Sequence, residues 1–350
     1  MHTSIFEKAL SAGPCTASAP CRVDMGGTLD IKTLYLPLAC LSPCTFNMAI
    51  DLRTTVTLSA YRKNHVKISS RGFESVEFAR HEAPFDHPLG LMAAIAAHFD
   101  AHGVHIDIDS ASPPRSALGG SSAAAVALVA VLAKACGMAN QFPPDRVVMT
   151  AHGIEEGVAR IPCGLQDQLA AAYGGVNAWH WENPAVGSPC FRRQPVIPGD
   201  RLAAFDACFL VAYCGMPHES KNINTRWVDH FLRAEDRSLW HHIVECAINF
   251  IDALAVNDLE QAIHWMNTEV VARRRMTPDV LDDVGEQLVV HALESGCGAR
   301  FTGAGGGGCV WAVGVPESIS ALREEWGRVL KTTGDARLLD TRIDRQGVLW

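Results

Sequence analysis

Residues 113–137 read PPRSALGGSSAAAVALVAVLAKACG, and the order of small residues in this stretch decides the fold. Before it, Val104-His105-Ile106-Asp107-Ile108-Asp109 alternates apolar and polar as a half-buried strand does, and Pro113 and Pro114 end that run. A Gly-Gly-Ser-Ser turn follows, and then an alanine-rich helix. A helix that opens on small residues presents unpaired backbone N–H groups and the positive end of its dipole, where phosphates bind. Gly119 and Gly120 allow close approach without a Cβ, and Ser121 and Ser122 add hydroxyl ligands. A serine N-cap on a buried helix is the plain alternative, and the full string favours a phosphate cradle.

Working outward, the chain has 350 residues, 48% of them hydrophobic and 19% charged, which describes a soluble globular protein of two lobes. A net charge of −8 argues against a broad nucleic-acid surface or an anionic membrane. The start, MHTSIFEKALSAG, lacks a basic region followed by an apolar one, so no secretory signal is read. The longest apolar run, 123–133, is too short to span a bilayer. Twelve scattered cysteines without a CxxC pair read as reduced thiols, and the expected location is cytoplasmic.

Elsewhere the pattern predicts a short helix at 3–12, strands at 18–25, 47–62, 66–70 and 76–79, and helices at 88–102, 144–157 and 166–173. The proline-rich run 183–200 suggests a lobe boundary, placed between 1–190 and 191–350. Beyond it a strand is expected at 204–213, helices over 222–272 and 278–295, and a strand at 309–315. Arg300 to Cys309, RFTGAGGGGC, contains Gly-x-Gly-x-x-Gly, but a helix precedes it and a strand follows. The dinucleotide fingerprint needs the reverse order, so a nicotinamide-dependent oxidoreductase is disfavoured. Four consecutive glycines imply tight packing or a ligand against the backbone.

Transfer chemistry needs a metal ligand, a positioned nucleophile and a cation. Asp167, in IPCGLQDQ, either caps a helix or orients a substrate hydroxyl. Glu155 and Glu156 lie on the preceding helix, where they are a solvated pair or ligands for Mg²⁺. His98, His102 and His105 complete no metal site and read as surface or core histidines.

Taken together, these pieces resemble the GHMP kinases in chain order. Ala19-Pro20-Cys21-Arg22-Val23-Asp24 resembles the family's first motif, Pro114 to Ala123 its second, and Thr302 to Gly308 its third. Pro162 to Gln168 resembles a galactokinase-type segment. Gly26-Gly27-Thr28-Leu29-Asp30 is closer to the heptose-phosphate and fucose kinases than to galactokinase.

The resemblance implies a two-lobed α+β fold, with a first lobe like ribosomal protein S5 domain 2 and a ferredoxin-like second lobe. It implies ATP with Mg²⁺ and phosphoryl transfer to a hydroxyl of a sugar or sugar phosphate, by a monomer or homodimer with no nucleic-acid or membrane partner. Pro114, Leu118, Gly119, Gly120, Ser121, Ser122 and Ala123 would bind ATP. Ser122 and Glu155 would hold Mg²⁺. One glycine more than usual before the serines leaves open which of Ser121 and Ser122 takes the metal. Asp167 would be the catalytic carboxylate and Arg22 the stabilising cation. Asp24, Thr28, Asp30, Asp167, Gly305 and Gly306 would contact the acceptor. A non-catalytic sugar or nucleotide sensor, and a kinase for an alcohol such as mevalonate, are the alternatives.

Overall fold

Buried α4 (Gly120–Ala135) lies at the centre of the first lobe, with 13 of its 16 residues out of solvent. A helix apolar all round belongs in a core, and its alanines let neighbours approach closely. The computed structural model describes residues 5–159, 162–183, 189–216 and 220–350. Before α4 come α1 (Ile5–Leu10), β1 (Cys15–Met25), α2 (Lys32–Tyr35), β2 (Cys44–Ala60), β3 (His65–Ser70), β4 (Val76–Ala79), α3 (Gly90–His98) and β5 (Val104–Ser110). After it come α5 (Pro144–Ala159), α6 (Gln166–Tyr173), β6 (Val176–Trp181) and β7 (Phe191–Pro195). Residues 3 and 4 of the expected first helix, and 184–188 of the proline-rich run, lie outside the described residues.

The seven strands form one mixed sheet, ordered β4-β3-β5-β2-β6-β7, with β1 paired along β2. Only β3 and β5 run parallel. The sheet and helices α3 to α6 enclose the core, α4 packing on β1 and β2. The long β2 alternates buried and half-buried residues in its second half, as a strand with one face on the core should.

The second lobe is built from α7 (Leu202–Phe205), β8 (Phe209–Tyr213), α8 (Ser220–Leu232), α9 (Arg237–Ala255), α10 (Leu259–Met276), α11 (Asp283–Glu294), β9 (Gly298–Phe301), β10 (Cys309–Val313), α12 (Pro316–Leu330) and β11 (Arg337–Leu339). Its sheet is antiparallel in the order β11-β8-β10-β9. Numbered within the lobe this is 4-1-3-2, the order of a ferredoxin-like βαββαβ unit, here with four helices in the first crossover. The fold is α+β, as expected.

Three boundaries differ from the sequence reading. The strand expected at 204–213 is helical through Phe205 and extended only from Phe209, since a short apolar run fits either state. The helix expected from 278 begins at Asp283, where the Asp282 carboxylate accepts from Gly285 N at 2.6 Å. The first sheet also runs past residue 190, because β7 pairs with β6. The C-terminal segment then returns to this sheet, Leu349 bridging Ser18 and Ile343 bridging Ile50. Arg53 fastens it by donating to Asp344 Oδ2 and Gly347 O.

Candidate active site

The Gly-Gly-Ser-Ser stretch opens the buried helix α4. Gly119 caps α4 in the left-handed region, φ +73°, and no side chain caps the helix, so its first amides are open. A Cβ at Gly119 would sit 3.3 Å from Asp167 Oδ2, so a larger residue is strained in backbone and space alike. Ser121 is exposed at the helix mouth and Ser122 is buried. Leu118 and Ala123 are buried in the core beneath, while Pro114 is exposed at the loop start. Leu118 O accepts from Arg22 N at 3.0 Å, which ties this loop to β1.

Arg22 and Asp167 meet beside the cradle. Arg22 Nε donates to Asp167 Oδ1 at 2.7 Å and its NH2 to Oδ2 at 2.9 Å, a two-point clasp on the carboxylate. The Arg22 side chain is 5% exposed and that of Asp167 25%, so the acid is the partner that faces out. Burial works against the Arg22 charge, but the Asp167 and Asp24 carboxylates outweigh it and raise its pKa above the usual arginine range.

Asp167 stands in the first turn of α6, and Asp30 holds that turn from outside. Asp30 Oδ2 accepts from Gln166 N at 3.0 Å, and a Cβ at Gly164 would overlap the same carboxylate. Burial pushes the Asp30 carboxyl up to about 6, Gln166 N opposes the shift, and the Asp167 charge adds to it. Asp30 was expected to touch an acceptor; its place here is a helix brace, behind Asp167.

Asp24 and Thr28 depart from expectation in the same way. Asp24 is fully buried: Gly303 N donates to Oδ1 at 2.6 Å, and Arg300 donates to Oδ2 at 3.1 Å. The Thr28 hydroxyl accepts from Arg273 at 3.1 Å. These side chains are spent joining the lobes, because a buried carboxylate or hydroxyl must find partners.

Glycines of the second loop divide into two uses. Gly308, φ +90°, would put a Cβ 2.7 Å from Ser116 O, and Gly303 one 3.5 Å from Arg22 NH2, so these two close on the first loop. Gly305 and Gly306, expected at the acceptor, instead pack within the second lobe. A Cβ on Gly305 would lie 2.5 Å from Val280 O, and one on Gly306 2.5 Å from Ile223 Cδ1. Close packing is the reason for glycine at both.

Glu155 is half-buried and its carboxylate accepts from Gln168 Nε2. Burial, then the Asp167 charge, pushes its carboxyl up to about 8. A desolvated carboxylate beside a second one is the charge pattern that a divalent cation relieves, so the donor set of Ser122 and Glu155 fits Mg²⁺. Among the described residues no group of three or more His, Cys, Asp or Glu forms a ready-made cage.

Sequence reasoning did not find Gln166, Glu269, Arg273 or Arg300. Glu269 and Arg273, four apart on α10, look like any surface pair on a helix. Arg300 opens the glycine-loop string, where nothing in the sequence marks it as buried.

Residues 86–175 match the GHMP kinases N terminal domain. The chain therefore carries a GHMP kinase N-terminal domain. The mevalonate kinase of Thermococcus sibiricus is 24% identical to this chain over 328 residues, covering 86% of this chain and 90% of that one. The D-glycero-alpha-D-manno-heptose 7-phosphate kinase of Campylobacter jejuni is 23% identical over 269 residues, covering 73% and 76%. In structure, Lactococcus lactis galactokinase complexed with galactose superimposes with a TM-score of 0.74 at 16% identity, over 99% of this chain and 96% of that one. The likeness in fold therefore extends over almost the whole chain. Among the described residues, no helix is long and apolar enough to cross a membrane.

Proposed function

We propose that this chain transfers the γ-phosphoryl group of ATP to a hydroxyl on the uncharged, polyhydroxy part of a sugar or sugar phosphate. The amides of Gly120, Ser121 and Ser122 cradle the phosphates, with Ser122 and Glu155 placed to hold Mg²⁺. The metal, when bound, neutralises charge on the phosphates. Asp167 accepts the hydrogen of the acceptor hydroxyl and orients its oxygen. The Arg22 clasp holds the carboxylate in one plane and sets a fixed positive charge where negative charge develops.

The observation that carries the sugar reading is how charge is distributed around Asp167. The buried arginines among the described residues are Arg22, Arg273 and Arg300, and each is paired with carboxylate: Arg22 with Asp167 and Asp24, Arg273 with Glu269, Arg300 with Glu269 and Asp24. Around them the buried side-chain carbonyls of Asn47, Gln166 and Gln168 have no partner. The Asn47 amide nitrogen is held by Gln166 O at 3.0 Å and that of Gln168 by Glu155, so their oxygens are the free ends. Unpaired acceptors with no spare buried arginine among the described residues suit a ligand rich in O–H donors and poor in negative charge.

Mevalonate is the second reading, favoured by the curated relatives, most of which are mevalonate kinases. Its carboxylate would enter a site where the buried arginines among the described residues are already paired. A panel of hexoses, heptose phosphates, uronic acids and mevalonate, assayed with Mg·ATP, tests the proposal. Transfer to a sugar supports it; binding of a sugar with no transfer to any acceptor would favour a sensor instead.

A further inference from the structure

We propose that Arg273, on α10 of the second lobe, is a positioning residue for the turn Gly26–Asp30 and for the Asp167 carboxylate behind it. The inference rests on the phosphotransfer reading above and adds a residue that neither motif nor family resemblance pointed to.

The turn holds a conformation it would not adopt alone. Thr28 is β-branched yet sits at φ +73°, a region that β-branched side chains avoid because the Cβ crowds the backbone. Such strain persists only where the surroundings over-determine it. Arg273 supplies that determination. Its NH1 donates to Thr28 Oγ1 at 3.1 Å and its NH2 to Gly27 O at 2.7 Å, while Nε donates to Glu269 Oε1 at 2.8 Å. The guanidinium is wholly buried against the rings of Trp227 and Trp240, 4.6 and 5.1 Å from their centroids. Gly26 is pressed from the same side, since a Cβ there would lie 2.9 Å from Ala247 Cβ on α9.

Burying a guanidinium and a carboxylate is costly, and an apolar pair would fill the same space. What an apolar pair cannot do is fix a carbonyl and a hydroxyl of the opposite lobe at once. The forked, planar guanidinium can. From the turn the connection reaches the reacting acid in two steps: Asp30 Oδ2 accepts from Gln166 N, and the next residue is Asp167. Among the described residues no direct hydrogen bond joins Arg273 to the start of α4, so its removal falls on the acceptor side.

The test is a double-mutant cycle of Arg273→Lys and Thr28→Gly in the full chain. Lysine keeps a positive charge for Glu269 but cannot span both turn oxygens. We expect Arg273→Lys to lower kcat/KM for the acceptor at least about tenfold, with KM for ATP within about twofold of wild type. Glycine takes φ +73° freely, so in the Thr28→Gly background the same change should cost much less. Amide exchange at Leu29 and Ile31, whose N–H groups bond Gly26 O and Thr28 O, should quicken in Arg273→Lys and slow again in the double variant. Equal loss for ATP and acceptor, or additive effects in the cycle, overturns the proposal. If wild type phosphorylates no acceptor, the phosphotransfer reading fails on its own, and amide exchange still decides whether Arg273 holds the turn: unchanged exchange sinks the inference.

Discussion

Asp167→Asn separates a reacting carboxylate from one that merely pairs with Arg22. Asparagine keeps the size and one carbonyl oxygen but loses the charge and the capacity to take a proton. A positioned acid or base contributes typically about 10²–10⁴ in rate, or roughly 3–5 kcal/mol of barrier at 1.36 kcal/mol per decade. Turnover should fall by that factor. The stability cost should be smaller than the ~3–5 kcal/mol of a stripped buried charge. Arg22 keeps Asp24 Oδ1 at 3.5 Å and donates to Ala117 O at 2.5 Å, so it is not left alone. A loss of about 1–3 kcal/mol follows, a Tm lower by several degrees. Because the cradle amides belong to α4 and are untouched, Kd for Mg·ATP should stay within about twofold. Steady-state kinetics and a nucleotide titration on the same preparation measure both. Parallel loss of ATP binding would move Asp167 to the nucleotide or metal, and turnover near wild type would leave it a structural partner of Arg22.

Other consequences are as direct. Ser122→Ala should weaken nucleotide binding in the presence of Mg²⁺ more than in its absence, with sugar binding little changed; titration calorimetry with and without the metal checks this. Gly308→Ala, which forces a Cβ to 2.7 Å from Ser116 O at φ +90°, should destabilise the fold by about 2–4 kcal/mol and raise KM for ATP, as read by urea unfolding and kinetics. Asp30→Asn tests the buried carboxyl raised to about 6. A raised carboxyl stabilises the fold fully only below the unfolded value near 3.8, and the contribution is lost as pH rises through about 6. The variant should therefore melt near wild type at pH 4 and above it at pH 7.5; a Tm below wild type at pH 7.5 would show that the charge itself is needed.

Much of this site is legible because it is local. The Gly-Gly-Ser-Ser helix start, the α6 start at Gln166 and the left-handed glycine loop each follow from neighbouring residues, and their chain order carries the family. The acceptor side is not local. Nothing in the string distinguishes an acid that faces a ligand from one that is buried and saturated, so Asp24, Thr28 and Asp30 read as contacts when their atoms are spent on Arg300, Arg273 and Gln166 N. Glu269 and Arg273 sit at helix-surface spacing, and only the approach of the other lobe turns them into a buried clamp. The pairing of β7 with β6 and the return of residues 343–349 to the first sheet likewise depend on contacts distant in sequence, which residue pattern does not encode.

The central claim is phosphoryl transfer to an uncharged sugar hydroxyl, and the most direct measurement is a head-to-head rate. ADP release and phosphorylated product are followed with Mg·ATP and, in separate reactions, the best sugar of the panel and mevalonate. Sugar-dependent turnover with mevalonate at background is the expected result. Mevalonate-dependent turnover with every sugar at background would contradict it.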